Sequence, residues 1–286
     1  MRNKKETLIT KTQTFSGLIV VKDANPNGDP LSENMPRTED GFGFMTHECM
    51  NRKIRNVWID DNRKVFMQSR DRNNDGHKSL QDRFNDVVSD IPSDKKNKKE
   101  DEKKQRLIDT FLDVRAFGAV IALEKGLSIH VTGAISLPDA YSVNKVEVVS
   151  TQITKSMNGK RKEENEEDKR TSDTMGMRHK IKFGLYRFNG TVNVLQSKHN
   201  ELTEEDLALI KDAIMKMFDN DASCARPAGS MYISNFIWIT PKEKNVPLSV
   251  CHNILKTKQI NFPAKSLDDF EITVDKHEDL NIEVLV

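Results

Sequence analysis

The sequence has few cysteines and no cluster of cysteine and histidine residues. Three cysteines occur in 286 residues, at Cys49, Cys224 and Cys251, without a Cys-x-x-Cys pair or a Cys/His cluster. This spacing argues against a zinc site and against the disulfide framework of a secreted protein. We therefore expect a reduced, cytoplasmic setting.

Long apolar runs and a surplus of one charge are also missing. No stretch supplies the roughly 20 apolar residues of a membrane span, and the N-terminal run MRNKKETLITKTQTF lacks the apolar region of a signal peptide. Lys plus Arg number 45 and Asp plus Glu 44, so the net charge of +1 does not by itself indicate a nucleic-acid binder. Any site for a polyanion must be local.

Two charged segments interrupt the chain, Arg70 to Lys104 and Met157 to Gly176. Neither shows apolar periodicity over its charged part, so we expect neither to fold around a core of its own. The run KRKEENEEDKR balances five basic residues against five acidic ones, which argues against a simple basic tail. A solvated loop is the plainest interpretation, and a surface ordered by a partner is the other.

The rest of the chain alternates between strand and helix patterns. The apolar run TFSGLIVV predicts a buried strand, and MYISNFIWIT predicts the last strand of the core. Thr46 and Thr203 are the expected N-caps of two helices with apolar residues at helical spacing. The first carries Met50, Ile54, Val57 and Trp58, with Arg52, Lys53 and Arg55 off that stripe; the second carries Leu207, Ile210, Ile214, Met217 and Phe218. FLDVRAFGAVIA, LSIHVTGAISL, IKFGLYRF and TVNVLQ are predicted to be extended.

The order strand, helix, strands, helix, strand predicts an α+β fold with a ferredoxin-like sheet, the architecture also used by RNA-recognition modules. The aromatic signature of an ordinary RNA-recognition motif is absent. If this sheet binds RNA, it does not do so through the usual stacking platform.

The loop VKDANPNGDP, directly after the first strand, has three interpretations. Asn-Pro and Asn-Gly pairs form turns readily, so a plain turn is one. Asp23, Asp29 and Glu33 could instead bind magnesium in a nuclease, although no second acidic cluster stands out. As a third, Gly28 and the asparagines could form a backbone cradle for an anion, assisted by Arg37 and by the basic residues of the following helix.

Other catalytic templates are missing. The chain has no G-x-S-x-G elbow, no G-x-x-x-x-G-K-[ST] phosphate loop and no H-E-x-x-H pair. His130 and His179 are isolated, and a lone histidine is more often structural than catalytic. We therefore expect neither a resident cofactor nor a metal.

Four motifs occur in one order: VKDANPNGDP followed by ENMPR, MNRKIRNVWI, DVRAFGAV and MGMRHKIKFGLY. Together they closely resemble the Cas seven family, the backbone subunit of type I CRISPR Cascade, over residues 15 to 240. The type I-C (Csd) branch looks nearest, with type I-B as its neighbour.

The resemblance implies a single right-hand-shaped domain over residues 1–286. A palm built on a modified RNA-recognition fold carries a helical fingers insertion (70–104) and a β-hairpin thumb (150–178). Copies polymerise along the CRISPR RNA, grip its backbone irrespective of sequence and present its bases to target DNA. Other implied partners are Cas five and Cas eight types of subunit and a recruited helicase-nuclease. No catalysis is expected of the subunit itself.

The implied RNA-binding residues fall into two sets. The palm set is Asn25, Asn27, Gly28, Arg37, Arg52, Lys53, Arg55 and Arg115, and the set at the base of the thumb is Met175, Met177, Arg178 and His179. Where the family often has an Arg-Ser pair, this chain has Ala140, Tyr141 and Ser142. The alternative is a metal-dependent ribonuclease of the type III backbone kind that uses Asp23 and Asp29.

Overall fold

The computed structural model describes residues 7–91, 98–122, 128–154, 175–244 and 246–286. The strands are β1 (Gln13–Ala24), β2 (Gly28–Asp29), β3 (Met35–Pro36), β4 (Thr38–Glu39), β5 (Phe42–Met45), β6 (Gly118–Ala122), β7 (Ser128–Thr132), β8 (Ile135–Ser136), β9 (Ala140–Lys145), β10 (Val148–Thr154), β11 (Met175–Val192), β12 (Met231–Pro241), β13 (Leu255–Gln259), β14 (Phe270–Val274) and β15 (Leu280–Val284). The helices are α1 (His47–Asp60), α2 (Leu80–Val87), α3 (Lys98–Thr110), α4 (Leu112–Phe117), α5 (Val194–His199), α6 (Glu204–Lys216) and α7 (Leu248–His252).

A large antiparallel sheet organises the described chain. Its strand order is β15-β12-β1-β11-β9-β5-β4, and β8 and β10 also pair with β11. β1 is central, paired with β11 from Gln13↔Val192 to Ala24↔Ile181 and with β12 on its other side. The predicted mixed α and β fold is confirmed at this level.

Both faces of the sheet are covered near its centre, because apolar residues of β1 point alternately to each side. Phe15, Ile19 and Val21 pack with helices α1 and α6 in the main core. Leu18 and Val20 pack on the other side against the C-terminal segment that holds α7, β13 and β14. Because both faces of β1 are buried, its sequence is a continuous apolar run and does not alternate between apolar and polar residues.

The two predicted helix caps are confirmed. The Thr46 hydroxyl accepts from Cys49 N at 3.3 Å at the start of α1. Thr203 and Asp206 form a reciprocal capping box at the start of α6, with both hydrogen bonds at 3.2 Å. The Trp58 indole donates to Leu209 O at 3.2 Å, which joins α1 to α6.

A second core corrects the interpretation of the first charged segment. Phe84, Val88 and Ile91 come from within residues 70–104, and they are buried against Leu107, Phe111 and other residues. The apolar residues flank the charged run and do not lie within it, so the short amphipathic helix α2 escapes a search over the charged part alone. The second charged segment lies almost wholly outside the described residues, in 155–174.

Two predictions of extended chain are wrong in part, and the predicted last strand is a strand but not the last one. DVRAF is the helix α4, which ends because Gly118 takes a φ of 77° that residues with a Cβ avoid. The VLQ of TVNVLQ starts helix α5, capped by Asn193. MYISNFIWIT is not the last strand, since β15 pairs with it from Ile237↔Val284 to Pro241↔Leu280. No helix in the described part of the chain is long and apolar enough to cross a membrane.

Candidate nucleic-acid interface

The loop after β1 folds as a small hairpin in which β2 pairs with β3. Gly28 lies where a Cβ would come within 2.9 Å of Asn34 O, so this close approach favours glycine. Glu33 and Asn34 both take positive φ, at 53° and 61°, to turn the hairpin. The turn interpretation is thus correct for the backbone, and the hairpin tip carries Leu31, whose side chain is 96% exposed.

The asparagines of this loop hold it against its surroundings. Asn25 donates through Nδ2 to Asn34 O at 2.6 Å, and its main-chain N–H donates to Ala225 O at 2.9 Å. Asn27 Oδ1 accepts from Thr46 N at 2.9 Å, which fixes the loop to the start of α1. The main-chain N–H groups of Asn25, Leu31, Asn34 and Arg37 all donate within the chain, so a backbone cradle cannot use these four.

Arg37 and Asp29 face each other across the hairpin, 3.4 Å apart, and each side chain is 28% exposed. Asp29 also accepts from Leu31 N at 3.2 Å. Three buried polar atoms in the wider site have no hydrogen-bond partner among the residues that the structure describes: Asn25 Oδ1, Arg37 Nε and His179 Nε2. A polar atom left unpaired costs about 1–3 kcal/mol, so these atoms favour a polar ligand here.

The base of the β10–β11 pair lies next to the same loop. His179 is buried, with Nδ1 2.8 Å from Ser150 Oγ, while Arg178 and Met177 are exposed. Lys180 Nζ lies 2.6 Å from Asp23 Oδ1 at the end of β1. The main chain of Met175 pairs with Thr154 at the last described position of the hairpin. The structure thus brings the loop and the hairpin base together.

The comparisons with known proteins decide the family. The model of the family described as CRISPR-associated protein Cas7 matches residues 11–275. The chain belongs to the Cas7 family. No curated protein matches it.

One of two solved structures similar to this Cas7 chain supports its fold. A chain of a "CRISPR RNA-guided surveillance complex, pre-nicking" matches with a TM-score of 0.51 and 14% identity, over 84% of this chain and 81% of that one. A chain of a "CRISPR RNA-guided surveillance complex" matches with a TM-score of 0.43 and 12% identity, over 84% and 74%. Only the first bears on the fold.

The basic residues of α1 do not all face solvent. The predicted position off the apolar stripe is correct for Arg52, which is half-buried and donates to Met67 O at 2.7 Å. Lys53 is 5% exposed and bonded to Asp221, and Arg55 is 7% exposed with Nε 2.9 Å from Asp113 Oδ2. Burial and the neighbouring Arg55 lower the pKa of Arg52.

Arg115 is likewise hydrogen-bonded to other residues of the Cas7 chain. Its guanidinium donates to both carboxylate oxygens of Asp206, at 3.2 and 3.0 Å, and to Ile108 O at 2.8 Å. Because Arg115, Lys53 and Arg55 are buried in ion pairs, their charges are largely used within the fold. Contact of these three residues with RNA stays a prediction that the geometry disfavours.

The acidic residues of the loop have ordinary structural partners. Asp23 pairs with Lys180, and Asp29 pairs with Arg37 and caps the turn at Pro30–Ser32. Among the described residues, no group of three or more His, Cys, Asp or Glu side chains is placed to hold a metal ion. The donor set therefore does not favour the nuclease hypothesis, which stays open to test.

Lys180 and Lys182, which were not predicted as site residues, follow Arg178 at alternate positions of β11. Alternate residues of a strand share a face, so the three cations form one basic stripe. Lys182 is exposed and lies 2.7 Å from Glu147. The pattern R-x-K-x-K in MRHKIKF was the available signal.

Proposed function

We propose that this Cas7 chain is the CRISPR RNA-binding backbone subunit of a Cascade surveillance complex. The observation that carries the proposal is the family match over residues 11–275. The subunit binds the guide backbone irrespective of sequence and leaves the bases free to pair with target DNA. It acts by binding and positioning, without chemistry of its own.

The central sheet supplies the palm in this proposal. Support comes from its strand order, because β12-β1-β11-β9, with α1 and α6 in the intervening connections, is the order of a ferredoxin-like sheet. The fingers are α2 and α3 with their separate core, and the thumb is the hairpin that β10 and β11 begin. The C-terminal segment covers the centre of the sheet face that an ordinary RNA-recognition motif uses, so the guide RNA runs elsewhere.

The RNA track passes over the hairpin loop and the base of β10–β11. The exposed Arg178 and Lys182 and the partly exposed Lys180 contact phosphates there, since cations at alternate strand positions match a polyanion. Arg37 and Arg52 contribute at the loop and at α1. Met177, 45% exposed beside Arg178, packs against a base or sugar, and the unpaired atoms of Asn25 and His179 accept polar contacts.

The proposed assembly contains further partners. Copies of the subunit stack along the guide, target DNA joins through the guide heteroduplex, and Cas five and Cas eight types of subunit complete the complex before a helicase-nuclease arrives. A near-zero net charge suits a subunit that packs on its own copies. We assign the chain to type I-C, with I-B as the neighbouring alternative, in the cytoplasm.

Binding of two unrelated guide-length RNAs tests the function. The purified protein is titrated by fluorescence anisotropy against two RNAs of equal length and different sequence. The proposal expects affinities within about twofold of each other and a strong decrease in affinity with salt. A marked preference for one sequence, or no binding to either RNA, would contradict it.

A further inference from the structure

The sheet face opposite α1 and α6 is only partly covered. The antiparallel ribbon of β13 and β14 packs on it through Leu255 and Phe270, against Phe183 and Leu185 of β11. Two residues further along β11, the Arg187 guanidinium donates to Leu255 O. Arg187 therefore lies at the edge of the β13–β14 ribbon.

A cleft of about 360 Å³ opens at this edge. Its lining is Arg187, Lys256, Thr257, Lys258, Glu271 and Thr273. Lys256 is neutralised by Asp275 at 2.5 Å, whereas Lys258 has no ion-pair partner among the described residues. Glu271 lies opposite Lys258 in the ribbon without an ion pair. The cleft is polar and carries more positive than negative charge.

The charge of Arg187 is not balanced within the described chain. No described carboxylate lies within 4.0 Å of its guanidinium, and Nε is buried without a hydrogen-bond partner. Burial lowers the pKa of Arg187, and no described acid offsets that effect. A half-buried cation with free donors is a site for an anionic group.

A partly exposed aromatic pair adjoins the cleft. Tyr141 of β9 is directly opposite Arg187 of β11, so the two side chains share a face of the sheet. Tyr141 stacks on Phe44, with ring centroids 5.7 Å apart and planes at 27°, and it remains 44% exposed. The ring is held in place with one side open.

We propose that the Arg187 cleft and the Tyr141–Phe44 pair form a second contact surface for single-stranded nucleic acid. Phosphate binds between Arg187 and Lys258, and a base stacks on Tyr141. An aromatic platform beside unpaired cations is the arrangement that binds single strands without sequence preference, and it favours this ligand over a protein surface.

The Arg187 end of this surface lies apart from the base of β10–β11, whereas Phe44 borders the guide track because its main-chain N–H donates to Arg37 O at 3.0 Å. Arg187 follows Lys180 by seven residues along β11, or about 23 Å at about 3.3 Å per residue. The inference goes beyond the guide-binding function, because a strand other than the guide would occupy the surface. Either DNA or RNA offers the required phosphates and bases.

Binding of labelled 15-residue deoxythymidine and uridine oligomers to the RNA-loaded protein tests the proposal. Arg187→Gln with Lys258→Gln should weaken binding at least about tenfold and reduce the salt slope by about 1.4, for two lost phosphate contacts. Tyr141→Ala should weaken binding about tenfold, and Tyr141→Phe should bind like the wild type. The two oligomers identify whether DNA or RNA is preferred.

Lys276→Gln, an exposed lysine outside the cleft, is the matched control and should change nothing. If the double variant does not fold, Lys258→Gln alone should reduce the salt slope by about 0.7. Copurifying guide RNA should stay unchanged in every variant. The proposal would be overturned if the wild type bound neither oligomer, or if the variants bound the oligomers as tightly as the wild type. This face would then be assigned to a protein partner. If a variant lost both the copurifying guide RNA and oligomer binding, the cleft would be assigned to the guide. That result would overturn the proposal as well.

Discussion

Arg115 and Asp206 form a buried two-pronged ion pair that joins α4 to the first turn of α6. The same carboxylate closes the capping box with Thr203, so one acidic side chain fastens two helices. The pair explains why a residue that sequence resemblance assigns to RNA is 7% exposed in the free subunit.

Arg115→Ala should destabilise the fold because it leaves Asp206 as an uncompensated buried charge. The expected loss is about 3–5 kcal/mol in the free energy of unfolding, measured by urea denaturation. Arg106→Ala, which removes an exposed pair between α3 and Asp90 in the turn after α2, should cost at most about 0.5 kcal/mol. Equal, small losses in both variants would show that Arg115 is free to serve another role.

Asp75→Asn should make the second core less stable in a pH-dependent way. Hydrogen bonds from Arg83 lower the pKa of Asp75, and Arg83 itself is 2% exposed. A carboxyl with a lowered folded pKa stabilises the fold above its unfolded pKa and loses that effect as pH falls through the folded value. At neutral pH, the free energy of unfolding of the wild type should exceed that of the variant by about 2 kcal/mol.

The difference should shrink as pH falls below about 4. Chemical denaturation of both proteins between pH 7 and pH 3 measures it. If the stability difference between the two proteins grew as the pH fell, the pKa of Asp75 would be raised by folding and not lowered. That result would contradict the prediction.

Asp23→Ala should leave guide-RNA binding intact or slightly tighter. Asp23 neutralises Lys180 at 2.6 Å, so its removal frees a cation beside the proposed track. The wild type should cut no RNA in the presence of magnesium. Robust magnesium-dependent cleavage that disappears in Asp23→Ala would instead support the nuclease alternative.

Arg178→Ala should reduce the slope of log affinity against log salt by about 0.7, for one lost phosphate contact. Arg52→Ala should do the same if its half-buried guanidinium reaches the track. Lys78→Ala, an exposed cation near α2, is the control and should leave the slope unchanged. An unaltered slope for Arg178→Ala would remove the hairpin base from the track.

The sequence predicts what depends on local pattern. Thr46 and Thr203 are recognisable caps, and the apolar spacing around Ile54 and Ile210 predicts both packed helices. The cations Lys53, Arg55 and Arg115 could not be placed, because their acidic partners lie 168, 58 and 91 residues away in the chain. Burial of a charge depends on such tertiary pairing, and helical spacing does not reveal it.

The candidate site, too, could be predicted from the sequence only in part. The turn chemistry around Gly28 predicts the hairpin loop, and resemblance indicates the hairpin base. The ion pair of Asp23 with Lys180, which joins the two, required the register of β1 against β11. The cover over the second sheet face also went unpredicted, since β13 and β14 are strands of five residues each with alternating exposure.

The most direct measurement is the nucleic acid that copurifies with this Cas7 chain, expressed with and without a CRISPR array and separated on a denaturing gel. The account predicts a discrete guide-length RNA bound to oligomers of the subunit when the array is present. It predicts no such discrete band without the array. Protein that stays free of nucleic acid in both cases, or that holds RNA of random length regardless of the array, would contradict the account.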